Sequence, residues 1–285
     1  MLTQARNYCT TVIMANILPL EKQTMVVHAL AEGTSIRAIE RMTGIHQDTI
    51  GRLGLRVGAA CEKLMDEKMR NLQITSIQLD EIWGFIGAKQ KNARRAKAYG
   101  DVWTWIALDR RTKLIPSFVV GKRDAYHARM FMEDLAPRVV NRVQISSDSL
   151  RVYREAIERG FGADADYGQI VKSFASDESV PQGKYSPAEV VSVSKEAIMG
   201  SPIESDICTS HVEKQNHTLR MHCRRLTRLT NAFSKKLENF KAAVALNFAY
   251  YNFVKVHGSI RCTPAMAAGV SPSIWKVSDL VEMAQ

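Results

Sequence analysis

The stretch VQISSDSLRVYREA, residues 143–156, decides the fold class, because a strand, one acid and a helix follow one another within it. Residues 143–145 are typical of a buried strand, and a helix is predicted from Leu150 onward. Between them lies a single acid, Asp148, flanked by small hydroxyl residues. Such an acid is an ordinary turn residue unless other carboxylates converge on it. Its role therefore depends on what the neighbouring strands and helices carry.

Strands and helices alternate on both sides of this stretch. β-branched and aromatic residues predict strands at ITSIQLDEIWGFIG (74–87), DVWTWIALD (101–109), LIPSFVVG (114–121) and ADYGQIVKSF (165–174), the second and third forming a hairpin. Helices are predicted over 124–140, from Leu150, from about Ser210 and over 235–257. The order predicts an α/β fold, a ribonuclease-H-like mixed sheet flanked by helices, preceded by a small all-α helix-turn-helix domain.

Four segments are predicted along the chain. They are a poorly defined N-terminal extension (1–18), a helix-turn-helix domain (19–70), a catalytic domain (71–256) with an insertion at about 173–205, and a C-terminal tail (257–285). The insertion is polar and interrupted by Pro and Gly, and its core, residues 175–202, is interpreted as a long loop.

Residues 19–70 read as three helices with glycine-containing turns after the first two. In the third helix, Ile50, Leu53 and Val57 form a core-facing stripe. A separate polar face carries Thr49, Arg52 and Arg56. In a helix-turn-helix the last helix enters the DNA major groove, where Arg can contact guanine. The alternative is a plain three-helix bundle with a solvated face, and Gly51, Gly54 and Gly58 each weaken the helix.

Two further acids are candidates to meet Asp148. Asp80 lies inside the first strand, where a charge is costly unless it is paired or binds metal; the alternative is a strand-end acid that meets an arginine. Glu81 must point to the opposite face, so only one of the two is expected to reach a shared site. Glu213 either completes a capping box with Ser210 or belongs to a site. In the second case it begins a polar helix face with Asn216, His217, Arg220 and Arg224.

Three converging carboxylates would favour a hard divalent cation with oxygen ligands, Mg²⁺ or Mn²⁺. Two such ions would suit an in-line phosphoryl displacement, so two are expected. The formal net charge of +10 favours a polyanionic partner. The candidate DNA contacts outside the third helix are Lys89, Lys91, Arg94, Arg95, Lys97, Asn216, Arg220, Arg224, Arg225 and Arg228. The alternative for these cations is an ordinary solvated loop and helix face.

Three tryptophans, Trp83, Trp103 and Trp105, lie within strand patterns and are expected in the core instead of stacking on bases. The sequence has no run of about 18 apolar residues, which is the length of a membrane span. Its five cysteines are scattered, so a disulfide framework is not expected. A cytoplasmic location is expected instead.

Several long motifs carry a resemblance to a known family. They include LDEIWGFIGAKQKN (79–92), GDVWTWIALD (100–109), SSDSLRVYREA (146–156), TSHVEKQNHTLRM (209–221) and YYNFVKVHGSIRCTPAMAAGV (250–270). On these motifs the sequence resembles the insertion-sequence-1 family of bacterial DDE transposases over nearly its whole length. The resemblance implies a ribonuclease-H-like core behind a helix-turn-helix, with Asp80, Asp148 and Glu213 as the DDE acids. Arg220 would match the basic residue two turns after the glutamate.

The resemblance further implies a nucleoid-associated enzyme that cleaves the ends of an insertion sequence and joins the 3′-OH to target DNA. Its partners would be the terminal inverted repeats and target DNA, bound by a homodimer or higher oligomer. Two alternatives remain: an impaired copy that binds the ends as a repressor, and a metal-dependent nuclease that does not join.

The chain departs from the family pattern in three places. Ser149 stands where Gly is expected after the second acid, and a positive φ there would strain the turn. Gly51 and Gly54 replace bulkier residues, and the paired cysteines of a zinc-binding module are missing. DNA binding is therefore expected without zinc.

Overall fold

In a computed structural model, the chain is described over residues 17–93, 99–174 and 190–285. The helices are α1 (Leu20–Ala31), α2 (Ile36–Thr43), α3 (Gln47–Lys68), α4 (Ala125–Leu135), α5 (Val152–Phe161), α6 (Ser210–His222), α7 (Leu237–Ala249), α8 (Pro264–Ala267) and α9 (Val277–Glu282). The strands are β1 (Ser76–Ile86), β2 (Gly100–Asp109), β3 (Phe118–Gly121), β4 (Val143–Asp148), β5 (Ala165–Phe174) and β6 (Val190–Met199). The expected extension, residues 1–18, lies almost wholly outside the described residues.

The strands form one sheet in the order β3-β2-β1-β4-β5-β6. β1 is antiparallel to β2 and parallel to β4, β4 is parallel to β5, and β6 is antiparallel to β5. The predicted hairpin is confirmed, because β2 and β3 pair from Trp103↔Gly121 to Ile106↔Phe118. The prediction of a mixed α/β fold with a mixed sheet flanked by helices is confirmed as well.

The pairing of β1 with β4 is short and decides where the acids lie. It runs only from Ser76↔Gln144 to Gln78↔Ser146, while β1 continues alongside β2 to Ile86↔Gly100. Asp80 and Asp148 each lie two residues beyond the last β1–β4 pair. Because side chains alternate along a strand, these two acids lie on the same face as the last pair. The two strands separate at the point where the acids sit.

The sheet lies between two groups of helices. On one face, the buried Gln78 accepts hydrogen bonds through Oε1 from the backbone N–H groups of His211 (2.9 Å) and Val212 (3.0 Å). A polar side chain in a buried strand thus satisfies two free donors in the first turn of α6 and fixes that helix on β1. On the other face, Trp105 packs its ring against Phe131 of α4 and Tyr153 of α5.

The predicted loop over residues 175–202 is wrong for its second half. Residues 190–199 form β6, which pairs with β5 from Tyr167↔Met199 to Phe174↔Val190. Most of the side chains of β6 are exposed, so it extends the sheet through backbone hydrogen bonds with little burial. A strand without a buried face leaves no hydrophobic alternation in the sequence, so the pattern does not distinguish it from a loop. Residues 175–189 lie outside the described residues.

The three predicted N-terminal helices are present, and the stripe of Ile50, Leu53 and Val57 is buried as predicted. α3 packs along α7, and Gly58 lies directly against Ala242 of α7. A Cβ at that position would lie 2.6 Å from the Cβ of Ala242. The apolar core is continuous from α1 through the sheet to α9. Whether residues 19–70 fold as a domain of their own stays a prediction.

The predicted C-terminal tail contains α8 and α9. α9 packs on α1 and α3 and buries Val277, Leu280 and Val281. Trp275, just before α9, contacts Phe253 in the π-helical turn that follows α7. Across the described part of the chain, no helix has the length and apolar character needed to cross a membrane.

Candidate active site

The three predicted acids open into one cleft of about 250 Å³. Asp80 comes from β1, Asp148 from the end of β4 and Glu213 from the first turn of α6. The cleft is lined by Asp80, Asp148, Ser149, Ile170, Lys172, Thr209 and Glu213. The fold therefore brings together acids that are far apart in the sequence.

Asp80 is the most enclosed of the three acids. Its Oδ2 accepts a hydrogen bond from Asn216 Nδ2 at 2.7 Å, and its Oδ1 accepts one from the backbone N–H of Glu81 at 2.8 Å. Burial, and after it repulsion from Asp148 and Glu213, raises the pKa of Asp80 to about 6, although both hydrogen bonds oppose the shift. The alternative, in which Asp80 pairs with an arginine, is wrong, because the side-chain partner of Asp80 is the amide of Asn216.

Asp148 is half-exposed at the tip of β4. Its Oδ1 accepts a hydrogen bond from the backbone N–H of Leu150 at 3.1 Å, so the acid also shapes the turn into α5. The expectation of a strained backbone at Ser149 is wrong. Among the described residues other than glycine, φ is positive at Asn71, Lys113, Leu229 and Arg261 and not at Ser149. Serine fits this turn without requiring the left-handed region.

Only one of Asp80 and Glu81 was expected to reach a shared site, and the structure corrects this. One carboxylate oxygen from each of Asp80, Glu81 and Asp148 lies within 4.8 Å of the others. Glu81 does lie on the opposite face, where Tyr153 Oη donates to its Oε2 at 2.9 Å. Because β1 and β4 have separated at this point, the tip carboxylate of Asp148 is reached from both faces of the sheet.

The buried Glu81 side chain has a cationic partner that sequence reasoning missed. Arg123 Nη2 lies 2.6 Å from Glu81 Oε1 and 3.9 Å from Asp148 Oδ2. Burial, and after it repulsion from Asp148, raises the pKa of Glu81 to about 7 against the opposing effect of Arg123. Arg123 follows Lys122 in the short connection between β3 and α4, and a pair of cations in a loop is an ordinary surface feature, so no pattern singled it out.

Glu213 is exposed and reaches the cleft from the side of β5. Its Oε1 accepts hydrogen bonds from Thr209 Oγ1 (2.8 Å) and from Lys172 Nζ (2.7 Å). The capping-box alternative is wrong, because the N-cap residue of α6 is Thr209 and not Ser210. Lys172 was also missed. It lies on β5 two residues beyond Ile170, the partner of Asp148 in the sheet, so only the strand register shows that it faces the acids.

The polar face predicted for α6 is interrupted. The helix ends at His222, and Arg224 and Arg225 lie in the 3₁₀ turn that follows. Arg220 donates to the carbonyl oxygens of Leu226 (3.0 Å) and Trp83 (3.4 Å), and burial lowers its pKa to about 10. Arg220 therefore holds that turn against β1.

The other predicted DNA contacts differ in what they touch. Arg225 donates to the carbonyl of Ala232 at 3.4 Å, while Arg228, Lys89 and Lys91 are exposed. On α3, Arg52 and Arg56 are exposed; Arg52 lies 3.4 Å from Thr49 Oγ1, and Arg56 donates to Gln23 Oε1 at 2.6 Å. Asn216 is buried against Asp80, which makes it a partner of an acid. Arg94, Arg95 and Lys97 lie outside the described residues.

All three tryptophans were expected in the core, and this is confirmed only for Trp105. Trp105 is completely buried, whereas Trp83 and Trp103 are partly exposed and lie opposite each other on β1 and β2. Lys89 lies 5.5 Å from the ring centre of Trp83, and Arg123 lies 5.0 Å from that of Trp103. Each ring of the pair thus has a cation beside it, and the ring of Trp83 also lies 5.6 Å from that of Phe85.

The donor groups around the cleft fit a hard divalent cation. The ligand atoms on offer are carboxylate oxygens from β1, β4 and α6, and the amide oxygen of Asn216 is buried with no hydrogen-bond partner. Such an all-oxygen set is the type preferred by Mg²⁺ and Mn²⁺. Repulsion from Asp148 contributes to the raised pKa of Asp80 and of Glu81, and a bound cation would relieve that repulsion.

No protein-family model matches the chain, and no curated protein matches it. Among solved structures, the chain is similar to a piggyBac transposase synaptic complex with hairpin DNA. The TM-score is 0.43 at 11% sequence identity, over 93% of this chain and 69% of that chain. A similarity at that TM-score carries no argument about activity, which has to come from the residues of this chain.

Proposed function

We propose that this chain is a DNA transposase of the DDE class, which cleaves the ends of an insertion sequence and joins the freed 3′-OH to target DNA. The observation that carries the proposal is the cleft in which Asp80, Asp148 and Glu213 converge from β1, β4 and α6. The strand order, with its parallel β1–β4–β5 pairing and an antiparallel β2–β3 hairpin, supports a ribonuclease-H-like core. The resemblance of the motifs to the insertion-sequence-1 family supports the same activity.

In the proposed mechanism, Asp80, Asp148 and Glu213 would hold two Mg²⁺ or Mn²⁺ ions. When bound, these ions supply activation of the attacking oxygen and stabilisation of the leaving oxygen. Asn216 and the backbone N–H of Leu150 orient the carboxylates of Asp80 and Asp148, because each donates to one of their oxygens. Water is the nucleophile for cleavage and the 3′-OH for joining. Both attacks need the same placement of a phosphate above the acids.

DNA binding is proposed to involve two surfaces. The exposed face of α3 with Arg52 and Arg56 would enter the major groove as the last helix of a helix-turn-helix. Lys89, Lys91 and Arg228 are exposed cations that would contact phosphates. Two transposon ends must be brought together, so the active form is proposed to be a homodimer or higher oligomer.

The test is an assay of purified protein with Mg²⁺ and DNA that carries the flanks of the coding sequence as ends. We expect nicked ends and, after them, joined products. Asp80→Asn and Asp148→Asn should abolish both products while end binding persists. Asp164→Asn, an exposed acid in the turn before β5, is the matched control and should behave as the unchanged protein.

The same assay separates the alternatives. Nicks without joined products would identify a metal-dependent nuclease. Binding without nicks would identify an end-binding protein without catalysis. If Asp80→Asn formed nicked and joined products in the same amount as the unchanged protein, this cleft would not be the active site.

A further inference from the structure

Among the described residues that line the cleft, Lys172 alone carries a positive charge. Its ammonium group lies 2.7 Å from Glu213 Oε1, and the two side chains keep 36% and 46% of their exposure. The lysine is not among the candidate DNA contacts predicted from the sequence. It comes from β5, the strand that pairs with the end of β4.

The ion pair uses the carboxylate that the proposed mechanism needs for metal. An ammonium group and a divalent cation compete for the same oxygens, so full coordination by Glu213 and its pairing with Lys172 oppose each other. A pair this exposed is weak, because water screens both charges. Thr209 Oγ1 also donates to Glu213 Oε1, at 2.8 Å. Glu213 therefore keeps a partner that orients it when Lys172 leaves.

The released ammonium group would remain in the cleft. β5 fixes its backbone beside Asp148, and its charge would no longer be neutralised by Glu213. The anion that reaches this position in the proposed function is a DNA phosphate, and Lys is a common phosphate-binding residue.

We propose that Lys172 is a phosphate-binding residue that pairs with Glu213 in the metal-free protein and is freed for DNA when metal binds Glu213. This inference rests on the proposed function, because it takes the cleft as the place where DNA and metal meet. Its consequence is a coupling between the two ligands. Metal strengthens DNA binding through Lys172, and DNA strengthens metal binding by the same factor.

The experiment measures binding of a fluorescein-labelled DNA duplex by anisotropy, once with EDTA and once with Ca²⁺, which has the hard-cation chemistry of the site. We compare the unchanged protein with Lys172→Met and with the control Lys214→Met. Lys214 is exposed on α6 next to Glu213 and does not line the cleft, so its removal changes the net charge equally.

With EDTA, we expect Lys172→Met to bind DNA as the unchanged protein does. With Ca²⁺, it should bind about fivefold more weakly, and its salt slope should fall by about 1, as for one lost phosphate contact. Lys214→Met should change DNA binding by the same factor in both conditions. An equal loss for Lys172→Met with and without Ca²⁺, or no loss in either, would overturn the inference.

A second measurement does not depend on DNA. Mn²⁺ binding, followed by electron paramagnetic resonance, should be several-fold tighter for Lys172→Met than for Lys214→Met, because only the first variant removes the competitor for Glu213. Equal Mn²⁺ affinities would contradict the competition. If the unchanged protein bound no DNA in any condition, the proposed function would fail, and the Mn²⁺ comparison would still decide the role of Lys172.

Discussion

Asp80 and Glu213 share a cleft but have opposite surroundings. Asp80 is enclosed, so burial raises its pKa to about 6, whereas Glu213 is exposed and paired with a lysine. A carboxylate must lose its proton before it can bind a metal ion. Protonation of Asp80 is therefore expected to oppose metal binding at mildly acidic pH.

We expect Mn²⁺ affinity to rise as the pH increases from 5 to 7 and to level off above that range. The pKa of Asp80 in the folded protein lies above its ordinary value of 3.8, so below about pH 6 the site carries a proton that metal must displace. Titration of the metal-free protein at a series of pH values measures this. In Asp80→Asn the remaining affinity should be low and should lack the rise near pH 6. An affinity of the unchanged protein that is flat above pH 5 would contradict the expectation.

The family pattern has Gly at position 149 and suggests that Gly would relieve strain there. The structure predicts the opposite effect for Ser149→Gly. Because the φ of Ser149 is not positive, Gly relieves no strain and only adds freedom to the unfolded chain. We expect Ser149→Gly to lower the free energy of unfolding by roughly 0.4–1 kcal/mol. We also expect no gain in DNA joining. Urea denaturation and the joining assay measure the two effects, and a faster Gly variant would show that strain exists after all.

At the scale of elements, the glycines of α3 do different things. Gly58 lies where α3 meets α7, and a Cβ there would be 2.6 Å from the Cβ of Ala242. Gly51 has open space around its Cα, with no atom within 4 Å of an added Cβ. The helix therefore carries one glycine required by packing and one that only lowers helix propensity.

The two alanine variants should change stability in opposite directions. Gly58→Ala forces the helices apart and should cost about 1–3 kcal/mol, as overpacking does. Gly51→Ala should stabilise by about 0.5–1 kcal/mol, because alanine is the better helix former. Both are measured from denaturant midpoints at constant m-value. Equal effects of the two variants would mean that the contact with Ala242 does not limit stability.

The elements also show how far the sequence could lead. β1, β4 and α5 were predictable because each buries a face and so carries a periodic pattern. β6 was not, since it extends an edge by backbone pairing with exposed side chains. Asp80 and Asp148 were found because an acid within or beside an apolar strand is unusual. Arg123 and Lys172 were missed because the sequence does not show which acid a cation on a strand or a loop lies beside. Only the strand register and the fold show that.

In the whole molecule, the N-terminal helices are joined to the rest of the fold by polar as well as apolar contacts. Arg138, after α4, is buried and connects the two parts. Its guanidinium donates to the carbonyl oxygens of Met65 (3.4 Å) and Met69 (3.3 Å) at the end of α3. It also forms ion pairs with Asp66 (2.9 Å) and Asp134. The continuous apolar core runs through the same region.

We therefore expect the protein to unfold in one cooperative transition, and Arg138→Met to move that transition to lower temperature without splitting it. The cost should be about 1–3 kcal/mol, because the variant removes a buried donor from the last carbonyl groups of α3. Asp66 keeps its ion pair with Arg70, and Asp134 keeps its hydrogen bond from Ser117. Arg159→Met is the control. It removes an exposed α5 arginine whose ion pair with Glu155 is 3.6 Å long, and it should change stability by at most about 1 kcal/mol. Calorimetry together with circular dichroism measures both. Two separate transitions in the unchanged protein would mean instead that residues 19–70 fold as a domain of their own and that Arg138 only joins two finished units.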